Sequence, residues 1–173
     1  MVQSVELLLD PDADALVRDQ WARLAAAGLP SQAQHTGESN APHVTLAARA
    51  SIDPAVEPSL RGALAVLPLP VGLGALACFG HRRLVLVRLV VPSAALLRVQ
   101  AEIQTALGDD PADPAETSHF APGRWTPHVT LARRMSPDQL AHAVSLLDGE
   151  HDPAVAAQAR RWDSDARRVW SLT

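Results

Sequence analysis

The chain has 173 residues, is 47% hydrophobic and carries a net charge of −4. That is enough for one well-packed domain, and it argues against broad electrostatic capture of long nucleic acid, which needs many phosphate contacts. Cys78 is the single cysteine, so no internal disulfide forms, and all 15 basic residues are arginine, so no lysine is available as a nucleophile.

Val2 to Leu9 reads as a buried strand, broken by Asp10 and Pro11. Asp14 to Ala27 follows as a helix with Leu16, Val17, Trp21 and Leu24 on one stripe and Gly28 as its stop. Ser31 to Thr36 is a short candidate strand, Gly37 to Ala41 a turn, and Asp53 to Leu67 a second helix ended by Pro68. Val71 to Phe79 and Arg83 to Val91 form two strands joined by Gly80-His81-Arg82. Pro92 opens a helix that runs through Leu107. The stretch from Gly108 to Gly123, rich in Pro, Asp and Gly, is a loop and a candidate lid. A helix spans Ser136 to Leu147, and Ala154 to Trp162 with Arg167 to Leu172 reads as a closing hairpin. No run approaches the roughly 20 apolar residues of a bilayer span. The first residues lack the basic-then-apolar order of a signal peptide. A soluble, cytoplasmic monomer is expected.

One phrase occurs twice: Pro42-His43-Val44-Thr45-Leu46-Ala47 and Pro127-His128-Val129-Thr130-Leu131-Ala132. The copies lie 128 − 43 = 85 residues apart, close to half the chain. Each reads as a strand, with β-branched Val and Thr in alternation with other types. Side chains alternate across a strand, so His and Thr share one face while Val and Leu share the other. A single His-x-Thr is a weak signal. Two identical hexapeptides at this spacing are much stronger, because a duplicated fold needs the Val and Leu faces but has no structural need for both His and Thr. Two imidazoles and two hydroxyls in one groove suit phosphoester chemistry. One imidazole serves as base and the other, protonated, as acid, while the hydroxyls donate to phosphate oxygens. Neither a metal nor a cofactor is required.

The paired motifs, one per half, resemble the two-histidine phosphoesterase superfamily, and within it the 2′-5′ RNA ligase-like (LigT-like) proteins and RNA 2′,3′-cyclic phosphodiesterases. The resemblance covers the whole chain in element order. It implies a single α+β domain over residues 1–173, bilobal and pseudo-two-fold, with two antiparallel sheets facing a central cleft and helices outside. It implies metal-independent hydrolysis of 2′,3′-cyclic phosphate ends of RNA or nucleotides to 2′-phosphates, with ATP-independent 2′-5′ ligation as the reverse-type reaction. His43 and His128 would be the acid and base, and Thr45 and Thr130 the phosphate ligands. Another cyclic or 2′-5′ phosphoester, such as ADP-ribose cyclic phosphate, would fit the same chemistry. A non-catalytic RNA-end or nucleotide binder is the alternative.

Further residues are candidates for substrate contact. Arg49 and Arg134 each follow their motif histidine by six residues, on the same face by parity, and could steer an anion along the groove. Phe79 and His81 flank the central hairpin, and Trp125 could stack on a base or anchor its loop. His35 and His119 precede the two motifs; with His43 and His128 they would form the histidine set of a metal-dependent hydrolase, although no metal-ligand spacing is present.

Overall fold

The computed structural model describes residues 2–37, 39–110 and 118–173. Strand β1 (Gln3–Leu9) points Val5, Leu7 and Leu9 into the core and Ser4 and Glu6 to the opposite face. Helix α1 (Pro11–Ala26) starts earlier than the expected Asp14. The Asp10 carboxylate caps the backbone N–H groups of Asp12 and Ala13, and Pro11 occupies the first turn, where it has no N–H to waste. Ser31 to Thr36 is not the expected strand. It contains a 3₁₀ turn (Gln32–Gln34), because the Ser31 hydroxyl accepts from Ala33 N–H and donates to the Trp21 carbonyl.

Strand β2 (His43–Arg49) carries the first motif. The helix expected over 53–67 is divided into a 3₁₀ turn (Pro54–Val56), capped by Asp53, and helix α2 (Glu57–Leu64). Strands β3 (Leu69–Phe79) and β4 (Leu84–Val90) form the central hairpin. Gly80 opens its turn at φ 95°, and a Cβ there would meet the Arg83 carbonyl oxygen at 2.9 Å, so glycine is required. Helix α3 (Ala94–Leu107) begins after Pro92, with Ser93 as its cap. The candidate lid lies partly on residues 111–117, outside the described residues. Strand β5 (His128–Met135) carries the second motif, and helix α4 (Pro137–Leu146) opens on a Ser136/Gln139 capping box. Strands β6 (Asp152–Asp163) and β7 (Arg168–Ser171) close the chain around a turn in which the Asp163 carboxylate accepts from Asp165 and Ala166 N–H.

The architecture is α+β. The strands form one antiparallel sheet in the order β1-β2-β5-β4-β3-β6-β7, and β6 pairs with β1 as well, so six strands return on themselves. This differs from the two separate facing sheets that the resemblance implies. The halves are joined by hydrogen-bonded pairing and narrow to a single residue pair, Val44 with Val129, where β2 meets β5. Helices α1 with α4, and α2 with α3, pack against each other over the core face. Leu7, Leu24, Leu46, Leu60, Leu96, Ile103 and Leu131 are fully buried there. Arg88, a charge within an apolar strand, is also buried. Its guanidinium donates to the carbonyls of Gly74, Asp148 and Glu150 and to the Asp152 carboxylate, which offsets its desolvation. No helix among the described residues is long and apolar enough to cross a membrane.

Candidate functional site

The Val44–Val129 pair organises the site. An antiparallel pair has a local two-fold axis through its midpoint, so the register sets His43 beside Thr130 and Thr45 beside His128. All four share one face, because Val44, Leu46, Val129 and Leu131 are each at most 2% exposed on the other. His43 and His128 are diagonal neighbours across this seam, a relation that separates backbones by roughly 7–8 Å. Beyond the single pair the strands splay, and their free carbonyls are taken by indoles. Trp125 Nε1 donates to the Thr45 carbonyl and Trp21 Nε1 to the Thr130 carbonyl, each at 3.0 Å.

Both motifs contain a β-bulge at the same leucine. Val5 pairs with Ala47 and Glu6 with Thr45, leaving Leu46 unmatched; Leu86 pairs with Ala132 and Val87 with Thr130, leaving Leu131 unmatched. Leu46 with Ala47, and Leu131 with Ala132, therefore enter the core as consecutive residues, all 0% exposed. The bulge reverses the alternation downstream. Ala48 and Arg133 face the cleft, and Arg49 and Arg134 do not.

The two imidazoles are oriented alike. His43 Nδ1 lies 2.7 Å from the Ala41 carbonyl and His128 Nδ1 2.7 Å from that of Thr126. A carbonyl can only accept, so Nδ1 carries the proton and Nε2 is the free nitrogen on each ring. Their electrostatic surroundings differ. His43 Nε2 is 3.7 Å from the Glu6 carboxylate, which also accepts from the Ser4 hydroxyl at 2.7 Å and Arg160 Nε at 2.8 Å. At His128, burial pushes the imidazole below its ordinary value of 6.5, and the charges of Arg133 and His43 act in the same direction against the bond to Thr126. An imidazolium at position 43 has a carboxylate partner; one at position 128 faces a guanidinium.

These groups line an open cleft of about 690 Å³. Its walls include His43, Thr45 and His128 together with Glu6, Arg133 and Arg160, and its rim includes His35, Thr36, Gly37, Ser39 and Asn40. The Asn40 amide holds that loop by donating to the carbonyls of Gln32 and His35. Thr130 is half-buried on the motif face but is not among the side chains lining the open cleft.

The other candidates divide. Phe79 packs edge-on against His128, ring centroids 4.9 Å apart. His81 is exposed in the hairpin turn, away from the lining. Trp125 is 9% exposed and spends its indole N–H on the Thr45 carbonyl, so it anchors its loop and offers no stacking face to the cleft. Arg49 turns the other way and pairs with Gln104 at 2.8 Å and Asp110 at 3.5 Å beside a second depression. Arg134 is exposed at φ 62° after the bulge. The parity that assigned both arginines to the groove fails at Leu46 and Leu131. His35 lines the cleft and His119 does not. Among the described residues no three His, Cys, Asp or Glu side chains are grouped as a metal site. Glu6, Arg133 and Arg160 were not singled out from sequence. The signal for Arg133 was available, since Leu-Ala after His-Val-Thr puts two apolar residues in succession and marks a change of face.

Comparison with known proteins agrees with this architecture. The family model described as the 2′-5′ RNA ligase superfamily matches residues 11–163. No curated relative matches the chain. Among solved structures, TT0787 of Thermus thermophilus is similar at 18% identity and a TM-score of 0.59, covering 100% of this chain and 96% of that one. E. coli LigT complexed with NADP+ is similar at 16% identity and a TM-score of 0.53, covering 99% and 94%. E. coli LigT complexed with 3′-AMP is similar at 16% identity and a TM-score of 0.51, covering 99% and 97%. With the family model spanning most of the chain and both motifs, the protein belongs to the 2′-5′ RNA ligase superfamily.

Proposed function

We propose that the chain is a metal-independent phosphoesterase that hydrolyses 2′,3′-cyclic phosphate ends of RNA or nucleotides to 2′-phosphates. His128 acts as base. It accepts a proton from water at Nε2 as the water oxygen attacks phosphorus. His43, as imidazolium, gives its proton to O3′ as the P–O3′ bond breaks, leaving a 2′-phosphate and a free 3′-hydroxyl. Thr45 and Thr130 donate to the non-bridging oxygens, and Arg133 neutralises charge developing there. A 5′-hydroxyl in place of the water would give a 2′-5′ linkage with no need for ATP.

The observation that carries this reading is the unequal pairing of two like-oriented histidines. Each holds a backbone carbonyl through Nδ1 and presents Nε2 to the cleft, yet one Nε2 faces a carboxylate and the other ring has its proton affinity lowered by burial and by Arg133. That asymmetry favours one donor and one acceptor over two equivalent groups. The presence of NADP+ and 3′-AMP in LigT structures supports a nucleotide as the cleft's occupant.

The test is turnover of a 2′,3′-cyclic nucleotide by EDTA-treated protein. Activity that persists with chelator, and is lost in both His43→Ala and His128→Ala, is expected. Tight binding without turnover would replace the enzyme by a nucleotide-binding protein, and inhibition by EDTA would replace the two-histidine mechanism.

A further inference from the structure

The chain has four tryptophans. Three have committed their indole N–H groups: Trp21 to the Thr130 carbonyl, Trp125 to the Thr45 carbonyl and Trp170 to the Glu57 carboxylate. Trp162 is the exception. It is half-buried on β6, its indole has no hydrogen-bond partner among the described residues, and its side chain lines the cleft. Arg160, two residues earlier, is on the same strand face and also lines the cleft. Its Nε is fixed on Glu6, and its two terminal amino groups have no hydrogen-bond partner among the described residues, which leaves them for a ligand. Side-chain exposure of 11% shows that this cation is recessed and anchored, unlike a solvated surface arginine.

The register fixes where the pair stands relative to the histidines. Across the cleft face Arg160 is beside Glu6, Glu6 beside Thr45, and Thr45 beside His128; the next row runs from Trp162 through Ser4 to Ala48. Arg160 is thus two strands from Thr45, roughly 10 Å, and its side chain leans back toward the site through Glu6. A cation followed by an unpartnered aromatic face, about one nucleotide beyond the motif residues, has the order of a phosphate contact followed by a base platform.

We infer that Arg160 and Trp162 form a second nucleotide subsite, so that the preferred substrate is an oligonucleotide end and not a mononucleotide. The terminal cyclic phosphate occupies the histidine pair, the adjoining phosphodiester meets the Arg160 guanidinium, and the penultimate base stacks on Trp162. This rests on the phosphoesterase reading of the histidine pair. It adds the length and class of the substrate. Arg133 on one side and Arg160 on the other give the cleft a cation at each phosphate position in a chain whose net charge is −4.

The experiment compares kcat/KM for a mononucleotide 2′,3′-cyclic phosphate and for a dinucleotide ending in the same cyclic phosphate. The wild type should prefer the dinucleotide by roughly 5- to 150-fold, the scale of one stacked base, mainly through KM. Trp162→Ala should lower this ratio by about 5-fold or more, leaving the part contributed by the Arg160–phosphodiester contact, and Trp162→Leu, which keeps apolar bulk for folding but has no aromatic face, should do the same. Arg160→Gln should reduce the slope of log KM against log salt for the dinucleotide by about 0.7. A wild type without preference, or a preference that Trp162→Leu leaves unchanged, overturns the subsite. If neither substrate turns over, the phosphoesterase reading fails separately. Calorimetric affinities of non-cyclic mono- and dinucleotides then decide the subsite, with equal affinities refuting it and a dinucleotide advantage reduced in Trp162→Leu sustaining it.

Discussion

Replacing Trp125 by Phe keeps an aromatic ring in the core and removes one hydrogen-bond donor. The indole N–H at 3.0 Å is the partner of the Thr45 carbonyl, and Trp125 is 9% exposed, so water has little access to replace it. A buried carbonyl left unsatisfied costs about 1–3 kcal/mol. For a domain of this size each kcal/mol lowers Tm by about 2–4 °C, so the variant should melt about 2–12 °C below wild type. Thermal denaturation followed by circular dichroism reads this directly. Trp21→Phe should behave alike, since its indole makes the same bond at 3.0 Å to the Thr130 carbonyl. The internal control is Trp162→Phe, whose indole N–H has no partner to lose and whose Tm should move much less. If Trp125→Phe melts within about 1 °C of wild type, the indole bond is incidental and the seam is held by packing alone. The double variant Trp21→Phe/Trp125→Phe should deviate from additivity, because the two carbonyls flank one residue pair.

Other outcomes follow from the site. His128 binds its proton less tightly folded than unfolded, so the unfolded chain takes up the proton first as pH falls below 6.5. The stability contributed by this residue should be present above that value and decline beneath it, and His128→Asn should flatten this part of a Tm-against-pH curve. The acidic limb of kcat/KM should correspondingly be found below pH 6.5, and Arg133→Gln, by removing a charge that lowers the His128 pKa, should move that limb to higher pH. Thr45→Val keeps the branched shape but not the donor; single-turnover rates should drop roughly 10- to 1,000-fold with little change in Tm.

The motif strands were legible because a repeated hexapeptide with β-branched residues allows only one sorting of its side chains, and that sorting is observed. What parity could not show was the bulge. Arg49 and Arg134 were assigned by counting twos from each histidine, and one extra residue at Leu46 and at Leu131 sends them to the other face while turning Arg133 inward. Glu6 and Arg160 were invisible for a different reason. They lie 154 residues apart in sequence and become neighbours only through β1–β6 pairing, a long-range register that no local pattern encodes. Pro11 both ends the first strand and signals a helix start, and the helix begins at Pro11 itself, ahead of the expected Asp14, because the Asp10 carboxylate caps it. The 31–36 segment was decided by two hydroxyl bonds of Ser31 that compete with strand pairing.

The two indole bonds also bear on how the halves came to depend on each other. Trp21, from the first half, holds the threonine of the second, and Trp125, from the second, holds the threonine of the first. Yet the two are not counterparts in the repeat: one is 22 residues ahead of its own half's histidine and on a helix, the other only three ahead and in the approach to a strand. Copying a segment duplicates positions, so it could not have delivered this pair. The two bonds reach equivalent carbonyls from non-equivalent positions in the chain. A chain divided between Val91 and Ser93 would separate each acceptor from its donor, and the resulting pieces should associate with one another before either acquires a stable core.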